Sequence, residues 1–94
     1  MITDREQIHK VLLEIQQGFA EGTLTIGGAV KRLRTQVTGM TQEQFSEMCG
    51  ISARTLGHIE KDEGNPTINT LSSILSLFGL SITIDTKEGD AAGA

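Results

Sequence analysis

The stretch that decides the fold is Thr41–Lys61, TQEQFSEMCGISARTLGHIEK. It reads as two short helices around a tight turn. Thr41 is an N-cap residue, and Gln44 three places on completes a capping box. Phe45 and Cys49 follow at i and i+4, so one face of the first helix is apolar. Gly50 supplies the left-handed residue that ends it. Ile51 is a plug between the two helices, and Ser52 caps the second. Leu56 and Ile59, at i and i+3, face inward. The outward face then carries Ala53, Arg54, Gly57, His58 and Lys61. Small and polar residues there suit a DNA major groove about 12 Å wide, where bulky apolar groups are a liability.

Downstream, Asp62–Glu63–Gly64–Asn65–Pro66 has strong turn chemistry. Thr67 or Asn69 caps the next helix, whose inward face is Leu71, Ile74, Leu75 and Phe78, and Gly79 stops it. Upstream, Thr25 caps a helix with apolar positions Ile26, Val30, Leu33 and Val37, ended by Thr38–Gly39. Gly27–Gly28 weakens its first turn by roughly 1 kcal/mol per glycine relative to alanine. Lys31, Arg32 and Arg34 project from it, either as a solvated face or as phosphate contacts.

With these elements in order, the chain resembles the Cro/C1 (Xre-type) helix-turn-helix repressor family. The match is TQEQFSEMCGIS, then ARTLGHIEK, then GNPTINTLSSILSLFG, and it covers roughly residues 28–79. The run of Gln42, Gly50, Ile51, Ser52, Ile59, Glu60, Asn65–Pro66 and Leu71 makes it specific; a bare αα-hairpin would not be. The resemblance implies an all-α, lambda-repressor-like bundle over residues 25–79. It also implies that the Ala53, Arg54, Gly57 and His58 positions meet base edges. Of these, only Arg54 and His58 have side-chain hydrogen-bonding groups, so Arg54 is the expected main reader of guanine. Gln42, Ser52, Lys61 and Thr70, at helix ends, are expected on phosphates. In this family an arginine commonly sits six residues before the Thr41 position and pairs with the Glu60 position. Here that residue is Thr35, and Arg34 is one step off. Either the turn is a residue longer or the pair is absent.

Residues 1–24 form an addition to that pattern. Thr3–Phe19 is amphipathic, with a possible Thr3/Glu6 capping box, Asp4 near the helix start, and the stripe Ile8, Val11, Leu12, Ile15 and Phe19. His9 lies on its polar side, and Gly18 and Gly22 end it. At the other end, Leu80–Asp85 switches to period two and reads as a short strand. A lone strand leaves backbone groups unpaired, so the expected partner is the same strand of a second copy, in a homodimer. Thr86–Ala94 is a Gly/Ala/acid tail, expected to be disordered. The ending ILSLFGLSITID is similar to that of HipB-type antitoxins, which implies a HipA-like kinase toxin as a further partner.

The 94 residues suffice for one small domain with an aliphatic core, since Phe19, Phe45 and Phe78 are its only aromatics. The net charge of −4 is unevenly spread. Residues 1–24 carry two basic and four acidic residues (net −2), 25–61 five basic and three acidic (net +2), and 62–94 one basic and five acidic (net −4). Positive charge therefore gathers where a phosphate backbone would lie, and over a Debye length of about 8 Å the local field decides. The single cysteine, Cys49, excludes an internal disulfide and a cysteine-based zinc site and reads as a small hydrophobe. No signal-type or membrane-spanning run occurs, so a cytoplasmic protein is expected. No carboxylate pair, phosphate loop or metal spacing suggests catalysis, and no cofactor is implied. The expected function is a sequence-specific repressor on an inverted-repeat operator, an antitoxin that represses its own operon. The alternatives are an Xre-type regulator of phage or restriction-modification type without a toxin partner, or an interaction module that has lost DNA binding.

Overall fold

The computed structural model describes residues 4–82. They form α1 (Arg5–Glu21), α2 (Ile26–Arg32) continued by a π-helical turn (Leu33–Thr38), α3 (Gln42–Cys49), α4 (Ala53–Glu60) and α5 (Ile68–Ser76). All five α-helices start on a threonine, serine or aspartate cap, as local chemistry dictates. Thr25 accepts from the Gly28 amide, Thr41 from that of Gln44, Ser52 from that of Thr55 and Thr67 from that of Thr70. The Thr41/Gln44 capping box is complete. Gly22, Gly39 and Gly50 end their helices with positive φ.

Three expectations at the N-terminal side need correction. Asp4, not Thr3, caps α1, accepting from the Glu6 amide at 2.9 Å; Thr3 lies outside the described residues. The helix runs past Phe19 to Glu21, and Phe19 is 44% exposed rather than buried with its stripe. The third concerns the helix after Thr25, which is not uniform: its second half is π-helical. Thr35 donates to the Lys31 carbonyl at 2.8 Å and Thr38 to that of Arg34 at 2.6 Å. Such back-bonding hydroxyls compete with the backbone ladder and loosen it. A wider turn, closed by i→i+5 bonds, takes in one more residue.

α2 is the central element because it faces two cores. Ala29, with Leu33 and Val37 of the π turn that continues α2, packs against Ile15 of α1 and Leu75 of α5. Val30 packs on the other side against Phe45, Leu56, Ile59 and Ile74. Phe45 and Phe78 stack with ring centroids 6.1 Å apart, joining the two sets. Ile51 is partly buried against the second core, as its place between α3 and α4 requires. Cys49 packs there too, and burial pushes its thiol pKa up, which suits a hydrophobe and not a nucleophile.

The expected C-terminal strand has no counterpart in Leu80–Ile82. In this single chain they pair with no strand, and Leu80 packs onto the α1/α2/α5 core instead. A strand needs a partner to satisfy its backbone. The rest of that run, and the tail 86–94, lie outside the described residues. Among the described residues, no helix is long and apolar enough to cross a membrane.

Candidate nucleic-acid interface

The position of α4 is set from three sides. Leu56 and Ile59 are buried against α2, α3 and α5. Gly27 of α2 lies so close that a Cβ there would collide with the Ile59 carbonyl and come within 2.7 Å of Asp62 Oδ1. The glycine read as a weakness of α2 is therefore the point where α2 and α4 touch backbone to backbone. Asp62, just past α4, sits at φ 58°. Its carboxylate accepts from the Gly27 amide at 2.9 Å and the Thr25 hydroxyl at 2.7 Å, clamping the end of α4 to the start of α2.

The third tie is ionic. Arg34 donates to Glu60 through Nε at 2.7 Å and Nη2 at 2.9 Å, and through Nη1 to the Met40 carbonyl at 3.0 Å. The pair exists because the π turn absorbs one residue between Arg34 and Thr41, so the side chain one step off the familiar spacing still faces α4. Arg34 is thus not a projecting phosphate contact. Arg32 is also engaged, with Glu14 at 3.2 Å and with Gln36. Burial opposes ionisation of Glu60, but hydrogen bonds from Arg34 and Gln42 outweigh it and hold its carboxyl below the ordinary value. The Glu60 hydrogen bond in turn raises the Arg34 pKa.

The outward face of α4 keeps the residues expected on it. Arg54 and His58 are exposed, and Ala53 and Gly57 are partly so. Arg54 and His58 line one shallow depression together with Glu63, Gly64 and Asn65 of the following loop. Those loop residues escaped the sequence reading; their only signal was adjacency to the end of α4. Gln42, the first residue of α3, is brought against the same helix. Its Nε2 donates to Glu60 at 3.1 Å, and its Oε1 lies 4.0 Å from where a Cβ at Gly57 would stand. Ser52 spends its hydroxyl on the cap, accepting from the Thr55 amide at 3.0 Å and donating to Thr55 Oγ1 at 2.9 Å. Lys61 is exposed at the end of α4. Thr70 stands apart on α5, its hydroxyl within 3.0 Å of Thr67 Oγ1.

This arrangement presents one helix side-on, with an arginine and a histidine one turn apart and a glycine between them that permits close approach. The first turns of α3 and α4 add amides suited to anions. Among the described residues, no group of three His, Cys, Asp or Glu side chains is placed to hold a metal ion.

Comparison with known proteins agrees on the domain. An immunity repressor protein of Bacillus phage phi105 is 30% identical over 60 residues, covering 64% of this chain and 41% of its own. The HTH-type transcriptional regulator PuuR of Escherichia coli K12 is 32% identical over 60 residues, covering 64% of this chain and 32% of its own, as is PuuR of Shigella flexneri. The chain thus spans 32–41% of the length of these relatives. No solved structure matches it. The helix-turn-helix family profile matches residues 30–84, more than half of the chain, and the protein belongs to that Cro/C1-type family.

Proposed function

We propose that this protein is a sequence-specific DNA-binding repressor that reads an inverted-repeat operator as a homodimer. The observation that carries the reading is the exposed pair Arg54 and His58 on a helix whose opposite face is fixed by Leu56, Ile59 and Glu60. Arg54 forks two donors onto guanine O6 and N7, and His58 reaches a base or a phosphate one turn later. Ala53 contacts a thymine methyl, and Gly57 lets the backbone approach. Gln42, Ser52, Lys61 and Thr70 hold the register on phosphates. Two recognition helices related by a two-fold axis meet half-sites about 34 Å apart, or a multiple of that. The period-two run Leu80–Ile84 is the proposed pairing segment of the dimer.

Arg54→Ala should lose roughly 10- to 100-fold in operator affinity, concentrated at one guanine per half-site, with non-specific binding and folding preserved. The measurement is a binding series against operators substituted at each base pair. A variant that discriminates every position as the parent does would make Arg54 a phosphate contact.

A finer reading is that the protein is an antitoxin that neutralises a HipA-like kinase toxin and represses its own operon. The ending ILSLFGLSITID supports it. The names of the relatives, an immunity repressor and a transcriptional regulator, favour a regulator without a toxin partner. Co-purification with a kinase encoded beside it decides between them; a neighbourhood with no such gene leaves the plain regulator.

A further inference from the structure

Gln42 opens α3 and reaches across to α4. Its Nε2 donates to Glu60 Oε1 at 3.1 Å, and that same carboxylate oxygen accepts from Arg34 Nη2 at 2.9 Å. The other end of the amide, Oε1, lies 4.0 Å from where a Cβ at Gly57 would stand. We infer that Gln42 is a second reader of base identity beside Arg54, its oxygen held toward the DNA by Glu60 to accept from the exocyclic amine of an adenine or a cytosine.

The amide can be turned only one way. An ionised carboxylate accepts hydrogen bonds and cannot donate them, so Nε2 and not Oε1 must face Glu60. Reversal would set two oxygens against each other at the 3.1 Å now spanned by a hydrogen bond. The carboxylate itself is fixed, with its side chain 3% exposed and forked onto Arg34 at 2.7 and 2.9 Å. A free glutamine offers either end to a ligand; here the choice is made before DNA arrives. Gln42 is exposed, and glycine at 57 leaves its oxygen uncovered on the side of the outward face of α4. A phosphate diester has no hydrogen to give to that oxygen, so the phosphate contact proposed above falls to the second Nε2 hydrogen. In the major groove, N6 of adenine and N4 of cytosine donate, whereas O6 of guanine and O4 of thymine would meet the amide oxygen as a second acceptor. Gln42 therefore distinguishes which strand of a pair carries the amine. Gly57 is three residues beyond Arg54, about 4.5 Å along the helix against about 3.4 Å per base pair. The pair read by Gln42 thus lies within two steps of the guanine read by Arg54.

The inference rests on the DNA-binding reading above, and selection from a pool of randomised duplexes by the full chain separates the two. A pool from which no sequence is enriched overturns the DNA-binding reading itself. Within an enriched half-site, a pair within two steps of the Arg54 guanine should be specified. Replacing its adenine by purine, or its cytosine by pyrimidin-2-one, removes the amine and tells the two bases apart. That deletion should weaken the parent about two- to tenfold, the worth of one neutral hydrogen bond, and leave Gln42→Ala unaffected. Equal weakening of both proteins overturns the inference. So does a Gln42→Ala chain that loses affinity for every sequence alike, which makes Gln42 a phosphate contact only. Glu60 is a positioning residue on this reading, so Glu60→Gln should lose the preference for the amine while still discriminating the Arg54 guanine. Arg34→Met with Glu60→Met, which removes the acceptor and leaves no buried charge unpaired, should do the same. If either variant, folded by far-UV circular dichroism, prefers the amine as the parent does, or loses the guanine with it, Glu60 does not orient Gln42.

Discussion

Glu60 takes two hydrogen bonds from Arg34, a residue 26 positions earlier on a different helix, with side-chain exposures of only 3% and 12%. A buried pair of this kind ties the recognition helix to the π turn.

Breaking the pair on one side leaves a buried charge uncompensated and costs about 3–5 kcal/mol. Arg34→Met and Glu60→Met should each lower the melting temperature sharply. The double variant, with apolar groups on both sides, should recover much of the loss. Thermal denaturation of the four proteins gives the coupling directly; equal and additive losses would deny it.

Acid should act through the same carboxylate. A glutamate whose folded pKa is depressed stabilises above its unfolded value, ordinarily 4.5, and that stability is lost as pH falls through the lower folded value. The parent should therefore be more stable than Glu60→Gln at neutral pH, with the gap closing below about pH 4.5. Melting temperatures of both proteins across that range test it.

Gly27→Ala puts a methyl group against the Ile59 carbonyl and the Asp62 carboxylate. Because the first obstacle is backbone, α2 and α4 must part. The expected loss is about 1–3 kcal/mol, the cost of overpacking a tight contact, against the gain of up to 1 kcal/mol that alanine ordinarily brings to a helix. A stabilised variant in urea unfolding would refute the close approach.

Gly57→Ala should split stability from function. Its Cβ would meet nothing nearer than Gln42 Oε1 at 4.0 Å. Alanine there should add up to about 1 kcal/mol, or about 4–8 °C in melting temperature for a domain of this size. Operator affinity should fall in a gel shift, since the methyl would stand on the face proposed to approach DNA.

Lys61→Ala should weaken binding to all sequences alike. One phosphate contact fewer reduces the slope of log K against log salt by about 0.9. An unchanged slope in a salt titration would remove Lys61 from the interface.

Much of this was legible in the sequence because it is written locally. Thr25, Thr41, Ser52 and Thr67 cap helices by rules that operate within three residues, and Leu56, Ile59, Ile74 and Leu75 follow from periodicity. What escaped depends on residues far apart or on a change of helical pitch. Arg34 sits one place off the expected spacing, and nothing in the apolar pattern announces the π turn that restores it. Asp62 reads as one more turn residue until its carboxylate is found on Gly27 and Thr25, 35 and 37 positions earlier. Gly27 itself reads as a flaw in a helix until the carbonyl it must clear is known. The outward placement of Arg54 and His58 was legible; the loop residues beside them were not.

The residues that fix α4 in place are Leu56, Ile59 and Glu60 within it and Gly27, Arg34 and Asp62 around it, and none of them lies on its outward face. On the proposed interface, posture and vocabulary are therefore carried by separate sets of side chains: exchanges at Ala53, Arg54, Gly57 and His58 would change what the helix reads while leaving the contacts that hold it untouched.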